Sequence, residues 1–104
     1  MSLKGNLSQD KSSLTIHIDG RFDFNLHKDF RELYSSYNSE AKIKEYIIDL
    51  SETKYMDSSA LGMLLLLREY AGGDSGNIRI KGCNSEITEI LEISNFDRLF
   101  KIDK

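Results

Sequence analysis

The chain has no proline or tryptophan and only one cysteine, Cys83, among its 104 residues. A single cysteine forms no disulfide within the chain and builds no cluster of thiolate ligands for a metal. Sparse cysteine is typical of a reducing compartment, so we expect a cytoplasmic protein. The longest apolar run, Met63 to Leu67, is far shorter than a membrane-spanning helix needs. The first residues have no apolar core of the kind that signals secretion, so we expect no targeting segment.

The chain also has no excess of positive charge. It carries 14 Lys and Arg against 17 Asp and Glu, a net charge of -3. A mildly acidic surface does not attract nucleic acid or anionic lipid, so we expect neither nucleic-acid binding nor membrane insertion. A hydrophobic fraction of 39% with 30% charged residues is ordinary for a folded globular protein. The length suits one domain, covering residues 1–104.

Hydrophobic periodicity predicts alternating strands and helices. Three segments have the pattern of strands: 13–19, 46–50 and 77–81. Gly20 is expected to end the first of them. Residues 4–9, before it, have a weaker pattern, which suggests an antiparallel partner strand. The second is nearly continuous in apolar residues, which suggests a strand covered on both faces. Three segments have helical spacing: one from the N-cap Asn25 to Asn38-Ser39, one from 58 to 71 before Gly72-Gly73, and one from Asn84 or Ser85 to Leu91. We expect the apolar tail (Phe96, Leu99, Phe100 and Ile102) to dock on the domain. This order predicts an α/β fold, a mixed β-sheet of four to five strands with helices packed on it.

The most informative segment is Tyr55 to Gly62, where a helix opens with polar residues. Asp57 or Ser58 can cap this helix by accepting a hydrogen bond from a free N–H group of its first turn. On a helical wheel one side is apolar and the opposite side is smaller and more polar. The apolar side holds Ala60, Met63, Leu64, Leu67 and Ala71; the other holds Ser58, Gly62, Glu69 and Gly73, flanked by Leu65 and Leu66. Periodicity alone leaves two interpretations open, an exposed protein-binding patch or a helix buried on all sides.

Three stretches resemble the STAS domain family of anti-sigma factor antagonists. Met56-Asp-Ser-Ser-Ala-Leu-Gly62 follows an Ile-Ile-Asp-Leu strand and is similar to the family signature Asp-Ser-Ser/Thr-Gly-Leu-Gly. Gly20-Arg-Phe-Asp23 resembles the family's Gly-x-Leu/Phe-Asp element. Ile93-Ser-Asn-Phe-Asp-Arg-Leu-Phe-Lys-Ile102 resembles its closing segment. The three stretches occur in the family's order and cover most of the chain.

The resemblance implies a phosphorylation-switched binding protein. In such proteins the unmodified form binds a partner that is both an anti-sigma factor and a serine kinase of the histidine-kinase-like ATPase fold. That kinase phosphorylates the first serine of the motif, here Ser58, the complex dissociates, and a metal-dependent serine phosphatase restores the binding form. Asp23 would help present the site, and Asp57 belongs to the signature. We expect the partner-binding surface to include these residues: Asp23, Asp57, Ser58, Ser59, Gly62, Leu65 and Leu66.

The chain departs from the signature at Ala60, where the family most often has glycine. The additional methyl group lies near the switch serine in sequence and is expected to narrow the choice of kinase. Other members of the family regulate biofilm formation or secretion instead of a sigma factor, and the sequence does not separate these outputs. Still others are structural subunits of larger assemblies that lack the serine.

An enzyme is the alternative from another class. Gly73-Asp-Ser-Gly76 is similar to a chymotrypsin-type nucleophile loop, but a turn after a helix explains it far better, because a triad needs a positioned base. His17 and His27 are isolated and give no metal-ligand spacing. Cys83 has Lys81 nearby but no second cysteine to resolve an oxidised form. No phosphate-binding glycine motif is present. We therefore expect no enzymatic activity, no catalytic residue, no cofactor and no metal.

Overall fold

A computed structural model of the protein describes residues 2–37 and 43–103. Nine regular elements and three short 3-10 turns follow one another in this part of the chain. The strands are β1 (Ser2–Leu7), β2 (Ser13–Phe22), β3 (Glu45–Asp49), β4 (Thr53–Met56), β5 (Ile78–Lys81) and β6 (Lys101–Ile102). The helices are α1 (His27–Ser36), α2 (Ser58–Tyr70) and α3 (Ser85–Ile93). The 3-10 turns cover Phe24–Leu26, Gly73–Ser75 and Phe96–Arg98.

The strands form one mixed sheet. Its order is β1-β2-β3-β5-β6, with β4 pairing separately with β2. The β1–β2 pair is antiparallel and every other pair is parallel. The α/β class, the mixed sheet and the weak N-terminal partner strand are confirmed. The sheet has six strands, however, not four to five. Strands β4 and β6 were not predicted, because the residues of β4 are buried, exposed, exposed and buried in turn and so do not alternate, and β6 has only two residues.

Strand β2 changes its parallel partner halfway along its length. Residues 13–17 pair with β3, whereas residues 20–22 pair with β4. The register shifts between Gly20 and Arg21, and Gly20 has a φ of 88°, which favours glycine. The predicted end of the strand at Gly20 is therefore wrong, because the glycine is an irregularity within a strand that continues to Phe22. A buried hydrogen bond of 2.6 Å from Thr53 Oγ1 to the Ile18 carbonyl oxygen joins β4 to the middle of β2.

The core lies where the helices pack on the sheet. Alternate residues of the sheet are buried, as the pattern of β2 predicts: Leu14, Ile16, Ile18, Tyr46, Ile48, Ile78 and Ile80. Strand β3 is fully buried on one face only, since Glu45, Ile47 and Asp49 are half-buried. The expectation that this strand is covered on both faces is thus wrong.

The helix boundaries also differ in part from the predicted ones. Asn25 does not cap α1; it lies in the 3-10 turn that precedes the helix, and Asp23 caps that turn. Helix α1 ends at Ser36, while the predicted end at Asn38-Ser39 lies outside the described residues. Asn84 caps α3 by accepting a 2.8 Å hydrogen bond from the Ile87 N–H group. The tail docks as expected, because Phe96 and Phe100 are buried in the core; Leu99 remains exposed.

Candidate functional site

The site lies where two neighbouring parallel strands end. Phe22 of β2 pairs with Met56 of β4, so the next residue of each strand, Asp23 and Asp57, comes at the same level of the sheet. Each aspartate begins a helical segment. Asp23 Oδ1 accepts a 3.0 Å hydrogen bond from the Asn25 N–H group. The sheet therefore brings together two sequence elements that are more than thirty residues apart.

Asp57 is the N-cap of α2. Its Oδ1 atom accepts hydrogen bonds from the N–H groups of Ser59 at 3.0 Å and Ala60 at 3.2 Å. The Ser59 hydroxyl group donates to the same oxygen at 2.5 Å. These donors, the Ser59 hydroxyl above all, hold the pKa of Asp57 below its ordinary value. The carboxylate thus stays ionised and occupies two of the amide groups that the helix leaves free at its start.

Ser58, the first residue of α2, is exposed. Its hydroxyl group makes no hydrogen bond with any residue in the described ranges. The two adjacent serines therefore differ in chemistry: the Ser59 hydroxyl is engaged with Asp57, whereas the Ser58 hydroxyl is open to a second molecule. The prediction that Ser58 faces outward is confirmed, and of the two candidate caps the structure selects Asp57.

The outward face of α2 continues as an apolar patch, which we define as Gly62, Leu65 and Leu66. Leu65 is 40% exposed and Leu66 62% exposed. A Cβ atom added at Gly62 would have no atom within 4 Å, so the glycine leaves a depression open to solvent. The opposite face is buried, as the helical wheel predicts: Ala60, Met63, Leu64 and Leu67. The interpretation of α2 as a helix buried on all sides is therefore wrong, and protein binding by the exposed patch stays a prediction.

Ala60 belongs to the buried face. Its side chain has no exposed surface, so the methyl group that replaces the family's usual glycine points into the core. The methyl group is therefore not on the exposed surface of α2, and its expected effect on the choice of kinase stays a prediction.

Asp23 is mostly covered in the free domain. Its side chain is 12% exposed, whereas that of Arg21, whose Nε atom lies 3.3 Å from Asp23 Oδ2, is 61% exposed. The Arg21 guanidinium carbon also lies 4.2 Å from the centre of the Tyr55 ring, a cation–π arrangement. Arg21, Tyr55 and the 61% exposed Phe24 were not among the predicted site residues. A signal was present, since Arg21 lies within the Gly20–Asp23 stretch and Tyr55 begins the Tyr55–Gly62 segment.

The candidate residues of the enzyme hypothesis do not assemble into a site. His17 Nδ1 lies 2.8 Å from Asp49 Oδ2, whereas His27 contacts the Phe24 carbonyl oxygen at 2.9 Å. Cys83 is half-buried, and burial raises the pKa of its thiol. Residues 73–75 form a 3-10 turn after α2. Within 2–37 and 43–103, no three His, Cys, Asp or Glu side chains are grouped to hold a metal ion, and no helix is long and apolar enough to cross a membrane.

The architecture is therefore a small α/β domain, in which helices pack on a mixed β-sheet and one of them begins with an exposed serine. The sequence matches the family described as "Mlab, STAS domain" over residues 6–101. It is 48% identical, over 98% of this chain and 99% of the relative, to a STAS-domain containing protein of Pseudomonas aeruginosa strain UCBPP-PA14. This chain belongs to the STAS domain family, whose fold is a regulatory binding fold.

Solved structures match the same fold. The anti-sigma factor antagonist SpoIIAA in its unphosphorylated form matches with a TM-score of 0.82 at 14% identity, over 99% of this chain and 89% of that one. The phosphorylated form of SpoIIAA from Bacillus matches with a TM-score of 0.74 at 14% identity, over 99% and 92%. An anti-sigma factor antagonist of Thermotoga maritima matches with a TM-score of 0.81 at 17% identity, over 98% and 86%.

Proposed function

We propose that this domain is a phosphorylation-switched regulatory binding protein in which Ser58 is the switch. Its unmodified form binds a partner that is both an anti-sigma factor and a serine kinase of the histidine-kinase-like ATPase fold. The observation that carries the proposal is the exposed Ser58 hydroxyl, which has no hydrogen-bond partner in the described part of the chain and lies at the start of the helix that presents Leu65 and Leu66. A partner docked on this patch therefore lies close to the hydroxyl group that it modifies.

The chemical step is phosphoryl transfer from ATP. The Ser58 Oγ atom attacks the γ-phosphorus, a new O–P bond forms, and the bond to the bridging oxygen of ADP breaks. The hydroxyl proton passes to a base of the kinase, and ADP leaves. The domain supplies only the nucleophile, so it is a substrate and not an enzyme. A metal-dependent phosphatase hydrolyses the ester and restores the hydroxyl group.

Phosphorylation acts on the interface more than on the fold. The phosphate adds a charge of about -1.5 to -2 at pH 7. Asp57 already occupies the Ser59 and Ala60 amides, so the new dianion stays outside the helix and next to a carboxylate. Burying it under a partner without a matching cation costs several kcal/mol, on the order of the penalty for one buried ion. Each ~1.4 kcal/mol lowers affinity tenfold, so this cost is enough to release the partner.

The comparisons support this proposal at the level of the family. SpoIIAA, a protein of the same fold, is described in a phosphorylated and in an unphosphorylated form. The serine at position 58 argues against a purely structural subunit. Regulation of biofilm formation or secretion instead of a sigma factor would use the same surface with another partner. All of these roles place the protein in the cytoplasm.

The phosphorylation site is tested by mass spectrometry. The domain is incubated with Mg-ATP and a purified serine kinase of the anti-sigma type, and its intact mass is measured. The parent and Ser59→Ala are expected to gain one phosphoryl group, whereas Ser58→Ala gains none. Ser59→Ala is the matched control, because it removes a hydroxyl group one residue away. Phosphorylation of Ser58→Ala, or none of the parent, would contradict the assignment.

The switch itself is tested by calorimetric titration of the same kinase into four forms of the domain: the unmodified parent, the phosphorylated parent, Ser58→Ala and Ser58→Asp. Ser58→Ala is expected to bind as tightly as the unmodified parent and to stay bound when ATP is added. Ser58→Asp is expected to bind the kinase more weakly than the parent. Its loss of affinity should be smaller than that of the phosphorylated form, because a carboxylate carries less charge than phosphate. Equal affinity of both variants and the parent would refute the switch.

A further inference from the structure

Arg21 is a cation held in place on β2, two residues before Asp23, and is only partly paired. Its Nε atom lies 3.3 Å from Asp23 Oδ2, and its guanidinium group rests on the Tyr55 ring. No other hydrogen bond from Arg21 joins it to a residue in the described ranges, so its terminal nitrogens are open. A guanidinium group that is already oriented loses little entropy when it binds an anion, and its planar fork matches phosphate oxygens.

A phosphate on Ser58 needs such a cation. The usual counter-charge at a helix start is the set of free N–H groups, but Asp57 already accepts from those of Ser59 and Ala60. The same carboxylate, kept ionised by its donors, repels a phosphate on the next residue. A neighbouring cation would therefore offset this repulsion.

The strand register directs Arg21 toward that position. Arg21 pairs with Tyr55, and Phe22 pairs with Met56, so Asp23 lies level with Asp57. The guanidinium group leans along β2 toward Asp23, that is, toward the end of the sheet where α2 begins. Ser58 follows Asp57 directly, with about 3.8 Å between their Cα atoms. Lys54, also exposed on β4, lies one residue further from Ser58 than Tyr55 does.

We propose that Arg21 is the positioning residue for phosphorylated Ser58: it leaves its single contact with Asp23 and pairs with the phosphate through its terminal nitrogens. This inference rests on the proposed role of Ser58 as the switch. The pair holds the phosphate in one place on the surface, beside the apolar patch, and offsets part of its repulsion from Asp57. One guanidinium charge offsets the dianion only in part, so the paired phosphate still resists burial and blocks the docking surface while the domain stays folded.

The test uses the full chain with phosphoserine incorporated at position 58 during translation, so it requires no kinase. The second pKa of the phosphate, near 6 when unperturbed, is measured by phosphorus NMR titration in the parent, Arg21→Gln and the matched control Lys54→Gln. We expect Arg21→Gln to raise this pKa by about half a unit or more, because a nearby cation favours the dianion. Lys54→Gln should change it much less. Arg21→Lys, which keeps the charge but not the fork, should give an intermediate value.

Equal pKa values in Arg21→Gln and the parent, or equal shifts in both Gln variants, would overturn the inference. Circular dichroism of each variant checks that the domain is folded. If Arg21→Gln does not fold, the difference in phosphate pKa between Arg21→Lys and the parent tests the inference instead. The result is independent of the kinase experiment above. A low phosphate pKa that depends on Arg21, together with a kinase that ignores Ser58, would refute only the proposed function. Modification of Ser58 with a pKa insensitive to Arg21 would refute only this inference.

Discussion

Replacing Asp57 by alanine is expected to destabilise the domain at the start of α2. The substitution removes the acceptor of three hydrogen bonds, from the Ser59 N–H group, the Ala60 N–H group and the Ser59 hydroxyl group. Asp57→Asn is the matched control, because the amide oxygen still accepts hydrogen bonds but the side chain carries no charge. The two variants together separate the loss of the cap from the loss of the charge.

The magnitude follows from the geometry of the cap. Loss of an N-cap side chain costs about 0.5–2 kcal/mol, and we expect the upper half of this range because two amide groups lose their acceptor. A loss of about 1–2 kcal/mol lowers Tm by roughly 5–15 °C in a domain of this size. Asp57→Asn loses only the attraction between the carboxylate and the helix dipole, about 0.3–1 kcal/mol.

The pH dependence gives a second measurement. The pKa of Asp57 is lowered in the folded domain, so its charge stabilises the fold fully above the unfolded-state pKa, near 3.8. That contribution is lost as the pH falls through the lower folded-state pKa. The difference in stability between the parent and Asp57→Asn should therefore be constant near neutral pH and decrease in acid below that value.

Urea denaturation at 25 °C, followed by circular dichroism at neutral pH and at about pH 3, measures both effects. If Asp57→Ala is as stable as the parent, the carboxylate does not cap α2 in solution. If the difference between the parent and Asp57→Asn grows as the pH falls, the direction assigned to the pKa of Asp57 is wrong. Either result would also weaken the account of why a phosphate on Ser58 stays outside the helix.

Two further substitutions test the apolar patch. Leu66→Glu should abolish kinase binding and change the free energy of unfolding by at most about 0.5 kcal/mol. Leu67→Ala, at a fully buried position, should lower the free energy of unfolding by about 2–5 kcal/mol in urea denaturation. A comparably large loss of stability in Leu66→Glu would place that leucine in the core. Gly62→Ala should stabilise the domain by about 0.5–1 kcal/mol, because alanine is the better helix former and its methyl group meets open space. The same methyl group should weaken kinase binding, because it fills the depression on the docking surface. Unchanged affinity in calorimetry would exclude the depression from the interface.

Elements with long, regular patterns were predictable from the sequence. The alternation of Leu14, Ile16 and Ile18 indicated the buried face of β2, and the helical spacing of α2 separated its core face from Ser58 and Leu66. These predictions succeed because burial imposes a period on any segment long enough to show it. The family signature around Ser58 was equally visible, since it is a continuous run of residues.

Only the tertiary structure showed β4, the pairing of Phe22 with Met56, and the position of Arg21 over Tyr55. The residues of β4 do not alternate between buried and exposed, and a register between segments thirty residues apart leaves no trace in either one. The sequence by itself determined which helix carries the serine and which face of that helix is apolar. What surrounds that serine was decided by the sheet, because side chains from different strands become neighbours only through strand pairing.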